Sequence, residues 1–253
     1  MVTQQASPPV SSHRAPHRSG SRFAWWVSPV LVAVGLAAFI LYSIWSALQG
    51  AGYSWGPYVS PIYSPFIQIA GLTISPALLV VWVPAGLRAT CYYYRKAYYR
   101  AFFWDPPACA RDETWRKGYR GETTFPFILN NFHRYFLYLA LVVLFFLGLD
   151  TVRAFLYRGS FYLGLGSIIF LVNWICLANF TFGCHSLRHL VGGGLDCYNC
   201  AFAGKTRHSI WSGVTSFNQH HMLWAWCSLV SVMATDIYVR LLAAGVISDP
   251  HIF

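Results

Sequence analysis

FHRYFLYLALVVLFFLGLDTV, residues 132–152, is the stretch that decides the fold. Between Arg134 and Asp150 it carries no charged side chain. Coiled as an α-helix, it matches the roughly 20 residues needed to cross a hydrocarbon core about 30 Å thick. Four further stretches share this character, at about 24–49, 66–87, 162–184 and 220–243. Pro76 and Pro84 fall inside the second of them and are expected to kink it. The expected fold is an all-α integral membrane protein, with five transmembrane helices in one domain over residues 23–253. Residues 1–22 are polar and rich in Pro and Ser, which predicts a disordered N-terminal tail. The apolar run that follows is too long for the core of a signal peptide.

Composition agrees with a multi-pass protein of the cell membrane. The chain is 56% apolar and only 10% charged, against roughly 25% charged in soluble domains. Its net charge of +10 does not read as a nucleic-acid footprint, because the basic residues collect in particular loops. Arg14, Arg18 and Arg22 lie in the tail. Arg88, Arg95, Lys96, Arg100, Arg111, Arg116, Lys117 and Arg120 follow the second span, and Arg188, Lys205 and Arg207 follow the fourth. Only Arg153, Arg158 and Arg240 fall on the opposite side of a five-span arrangement. The bias predicts a cytoplasmic N-terminus and an external C-terminus. The uncharged loop GAGYSWGPYVSPIYSP, residues 50–65, is expected in the outer interface. The inner loop 88–130 interleaves aromatic and basic residues, which predicts an interfacial amphipathic helix ended by Pro106-Pro107. That loop suits both membrane anchoring and the docking of a cytoplasmic partner.

Soft ligands crowd the predicted inner ends of the spans. GCHSLRHLVGGGLDCYNC, residues 183–200, closes the fourth span with three cysteines and two histidines. His185 and His189 are spaced to share a helix face, and Cys197 and Cys200 form a CxxC pair able to grip one metal ion. The candidate ligands are Cys184, His185, His189, Cys197 and Cys200, completed by His220, His221 or His133 from neighbouring helices. No span has a histidine in its outer half, so a two-haem chain across the bilayer lacks its second ligand pair. Cys176 and Cys227 are expected as apolar filler, and Cys91 and Cys109 as structural thiols. Asp150 with Arg153, and Asp236 with Arg240, are expected as charge pairs near the outer interface.

The stretches GPYVSPIYSP, CYYYRKAYYRAFFWDPPACA and SLRHLVGGGLD carry a family resemblance. The chain resembles the membrane anchor (cytochrome b-like) subunit of succinate dehydrogenase (succinate:quinone oxidoreductase), in its actinobacterial single-subunit form. SLRHLVGGGLD is similar to the G-x-R-H-x3-D stretch of haem-bearing anchors, with Arg188 and His189 at the R-H positions; Ser186 replaces the glycine and Asp196 falls late. The position of the family's haem-ligating histidine is Phe182 here. The resemblance implies a subunit without a succinate site. Its partners would be an iron–sulfur subunit, a flavoprotein subunit and a quinone, with menaquinone expected from the actinobacterial likeness. A higher oligomer of the complex is compatible with this reading. His133, Arg134, Tyr119, Trp115 and Arg88 are the candidate quinone-binding residues, all at the predicted inner surface.

With a redox role, a Rieske-like [2Fe–2S] centre is the first choice for the Cys/His set, because zinc carries no electrons. A single haem b is the second choice. The rival reading is a non-redox scaffold or transporter with a structural zinc. The chain shows no internal repeat of the kind most transporters carry.

Overall fold

In a computed structural model of the chain, the structure describes residues 24, 26–68, 74–104, 123–125 and 127–250. The expected tail at 1–22 and the Pro106-Pro107 break lie outside the described residues. Among those described, the order is α1 (Val27–Gln49), hairpin β1–β2 (Ser54–Trp55, Tyr58–Val59), α2 (Trp82–Thr90) and α3 (Tyr92–Phe103). Then follow α4 (His133–Arg153), hairpin β3–β4 (Leu156–Tyr157, Ser160–Phe161), α5 (Leu165–Phe182), α6 (His185–Arg188), α7 (Gly204–Gln219) and α8 (His221–Ala243).

Four helices are long and apolar enough to cross a membrane: α1, α5, α8 and α4 with the 3-10 turn before it. The stretch 66–87, expected as a fifth span, is not one long helix over its described residues. It holds a 3-10 turn, Pro76–Leu79, and then the short α2. Both prolines explain why. Pro76 opens the 3-10 turn, and Pro84 falls in the first turn of α2, where its missing N–H costs no helical bond. The membrane helices are apolar on nearly every side, so packing and close approach fix their arrangement. α5 lies along α8, and α2 lies against α4. At Gly86 a Cβ would sit 2.1 Å from the Phe136 ring, so only glycine permits that approach.

The two ends of the bundle differ. At the hairpin end, Arg158 and Gly159 both take positive φ and close β3–β4 with the backbone hand such turns require. Tyr58 of β2 is fully buried, its ring stacked on Phe170 of α5. The loop 50–65 is therefore a folded plug at that end, with Ser60 and Tyr63 also fully buried. At the opposite end, which carries His133, Cys184 and His221, the buried core joins Leu87, Cys91, Tyr94, Leu137, Phe180 and Ala225.

Candidate functional site

Two cysteine–histidine contacts sit within the core of the histidine end. His133 opens α4 and brings Nε2 to 3.1 Å from Cys184 Sγ. His221 opens α8 and brings Nε2 to 3.4 Å from Cys91 Sγ. Both cysteines are buried, at 3% and 2% exposure, in one continuous core cluster. Each occupies a break between helices: Cys91 between α2 and α3, Cys184 between α5 and α6. Burial pushes both thiols above the ordinary cysteine range, so without a cation they are neutral S–H groups.

Hydrogen bonds fix the tautomer of His133. Thr90 Oγ1 lies 2.6 Å from the Gly86 carbonyl, which only accepts, so the hydroxyl donates there. His133 Nδ1, 2.8 Å from the same oxygen, must then be the donor. Nε2 then accepts from the Cys184 thiol, and its lone pair is the one through which imidazole binds a metal once that thiol loses its proton. His221 stacks on Phe180 with ring centres 4.9 Å apart. Its Nδ1 is buried and has no hydrogen-bond partner. Gly183 allows this seat: a Cβ there would meet the Asn179 carbonyl at 2.8 Å and His221 Nδ1 at 3.2 Å.

A cavity of about 640 Å³ opens next to this cluster, between α2, α3 and the start of α4. Trp82, Phe103, Phe132 and Phe136 line it, with Thr90, Tyr98 and Asn130 as polar groups. Burial pushes the Tyr98 hydroxyl up to about 12, so it stays protonated at neutral pH. Thr90 touches both the cavity and His133.

A family model for the actinobacterial succinate dehydrogenase subunit SdhC matches residues 27–245. This chain belongs to that family. A solved structure titled Mycobacterium smegmatis Sdh1 complex in the apo form contains a chain 37% identical to this one, with a TM-score of 0.82. The match covers 98% of this chain and 99% of that one. A search of curated proteins returned no match. The SdhC-family chain is a multi-pass membrane subunit of an enzyme, complex II, and works with the flavoprotein and iron–sulfur subunits at the plasma membrane.

The expected metal pool of this SdhC-family subunit is divided by the fold. Among the described residues no three His, Cys, Asp or Glu side chains are gathered as they would be around one metal ion. Cys197 and Cys200 are exposed and joined to each other as a disulfide, which removes both as thiolate donors. His185 and His189 are exposed, and a π turn, His189–Gly193, directs the chain away after α6. His220 is exposed and its Nδ1 meets the Ser216 carbonyl. Of that pool, Cys184, His221 and His133 meet at the core, the cysteine buried and the two histidines half-buried. His133 is expected both as a completing ligand and as a quinone residue, and their companion Cys91 as a structural thiol. Of the quinone candidates, Arg134 is exposed and Arg88 points into the core rather than the 640 Å³ cavity. Trp115 and Tyr119 lie outside the described residues. Cys91 and His221 are 130 positions apart, so no local spacing signals their meeting.

Proposed function

We propose that this subunit passes electrons from the docked iron–sulfur subunit to menaquinone, through a Cys/His centre held by Cys91, Cys184, His133 and His221 at the inner, cytoplasmic end of the bundle. The single observation that carries this is the pair of part-buried Cys–His contacts, in which His133 Nε2 faces Cys184 and His221 keeps an orphaned nitrogen. Two cysteines and two histidines are the donor set of a Rieske-like [2Fe–2S] cluster, which needs only two protein ligands for each iron. A redox role favours the two-iron group over a single zinc, because zinc carries no electrons.

When bound, such a cluster supplies a one-electron stop between the iron–sulfur subunit and a quinone. The protein's own part is to exclude water and orient the donors. Thr90 holds the His133 ring and hands its position on to the adjoining cavity. The cavity has the size and aromatic lining of a quinone site, with the second N–H of the Asn130 amide as the donor left for a ring carbonyl.

Iron, zinc and acid-labile sulfide analysis of the purified complex, with its optical and EPR spectra, tests the reading. The expected result is one [2Fe–2S] centre beyond those of the iron–sulfur subunit, lost in Cys184→Ser with the subunits still assembled. A Soret band without the extra sulfide would replace the cluster with a single haem b. Zinc alone in this subunit would remove the electron-relay role.

A further inference from the structure

Arg88 is a half-buried cation without an acid among the described residues. Its guanidinium lies 4.7 Å from the centre of the Phe180 ring, and that same ring stacks on His221. It lies 5.5 Å from the Tyr94 ring and 5.9 Å from the Phe39 ring. Nη1 donates to Tyr94 Oη at 2.5 Å and Nη2 to Ser228 Oγ at 3.0 Å. Both acceptors are neutral, and both spend their own protons on the Ala225 carbonyl. Among the described residues no carboxylate pairs with Arg88. Arginine cannot shed its proton in a protein. A fixed cation held by neutral groups at the edge of a hydrocarbon core is costly, and such charges are ordinarily met by an anion.

The fold places Arg88 one aromatic ring from His221 and one helical turn before Cys91. We propose that Arg88 is the fixed counter-charge of the Cys91/Cys184/His133/His221 centre, a positioning residue that stabilises its reduced state. The inference rests on the proposed function above. One electron added to a centre with two thiolate ligands leaves it more negative by a unit charge, and a nearby cation in a low dielectric favours that state. This role differs from the quinone contact expected for Arg88 in the sequence. The hydrogen bonds to Tyr94 and Ser228 hold the guanidinium still, so the charge does not relax away as the electron arrives.

Redox titration of the intact complex, followed by EPR, tests this with Arg88→Gln, Arg88→Lys and the exposed-charge control Arg153→Gln. The expected result for Arg88→Gln is at least a tenfold shift of the reduced–oxidised equilibrium toward the oxidised state, about 59 mV downward for a one-electron couple. Arg88→Lys should stay within about threefold of the parent, and Arg153→Gln should not move. If Arg88→Gln assembles without the centre while Arg88→Lys keeps it, the charge requirement still holds. An unmoved potential with a raised quinone KM overturns the proposal and returns Arg88 to the quinone. Equal shifts, or equal loss of the centre, in both Arg88 variants also overturn it. A parent complex with no additional titratable centre fails the proposed function itself, a separate result.

Discussion

The hairpin end and the histidine end of the bundle handle buried charge in opposite ways. At the hairpin end each buried acid has its partners within the chain. Asp236 is fully buried and accepts from Arg240 Nε at 2.9 Å, Tyr42 at 2.5 Å, Ser46 at 2.8 Å and Ser60. Asp249 accepts from Tyr58 at 2.7 Å, Tyr162 at 2.8 Å, Tyr238 at 2.5 Å and the Gly166 N–H at 3.0 Å. Asp150 pairs with Arg153 at 3.2 Å, as the i,i+3 spacing predicts. At the histidine end the balance does not close. Two thiols, two imidazoles and an arginine share a core without an acid among the described residues, and one imidazole nitrogen has no partner. A closed network stabilises, whereas an open one of soft donors is suited to hold something.

Substitutions should separate the two ends. The largest effect belongs to the donors. Cys184→Ser or His221→Ala should lower succinate-driven quinone reduction by more than the roughly 10–100-fold that loss of an outer partner costs a metal site. Succinate oxidation by a soluble dye should persist in both. At the hairpin end, Asp236→Ala strands Arg240 and should cost about 3–5 kcal/mol of stability, seen as a lower melting temperature. Its EPR spectrum should be unchanged, and a changed spectrum would erase the distinction between the ends. Thr90→Val frees the His133 ring and should cost roughly 10–100-fold in quinone reduction. The melting temperature should fall little.

The smallest effect is at the C-terminal clip. Burial alone would raise the Asp249 carboxyl, but bonds from Tyr238, Tyr58, the Gly166 N–H and Tyr162 bring it below its ordinary value of 3.8. A carboxyl with a depressed folded value stabilises above its unfolded value, and the stabilisation is lost as pH falls through the folded one. Asp249→Asn should cost about 1 kcal/mol at neutral pH. The difference from the parent should vanish in acid below 3.8, as melting curves against pH would register.

Sequence patterns reach different depths at the two ends. Long apolar runs announce α1, α4, α5 and α8, because a helix in lipid needs apolar residues on every side. The pairs Asp150–Arg153 and Asp236–Arg240 are legible because helical neighbours are fixed by spacing alone. The stretch 66–87 has a span's composition, yet its two prolines start short helical turns instead. α7 is missed because GKTRHSIWSGVTSFNQ is rich in Gly, Ser and Thr and has only a thin apolar face at Ile210, Val214 and Phe217. The cluster GCHSLRHLVGGGLDCYNC crowds five soft side chains along the chain, yet among the described residues only its Cys184 makes a Cys–His contact. Crowding along the chain suggests a ligand set, whereas the fold brings Cys91, Cys184, His133 and His221 together from four separate helix ends. Cys91 and His133, each solitary in sequence, gain their place only through α2 meeting α4 and α3 meeting α8.

The central claim is that Cys91, Cys184, His133 and His221 form one redox centre. The most direct measurement is pulsed EPR of the reduced intact complex, resolving nitrogen couplings to the additional iron–sulfur signal. The account predicts two inequivalent imidazole nitrogens, both absent when His133 or His221 is replaced by alanine and the centre is lost. An iron–sulfur signal without nitrogen coupling, or a nitrogen-coupled one that survives both replacements, would contradict it.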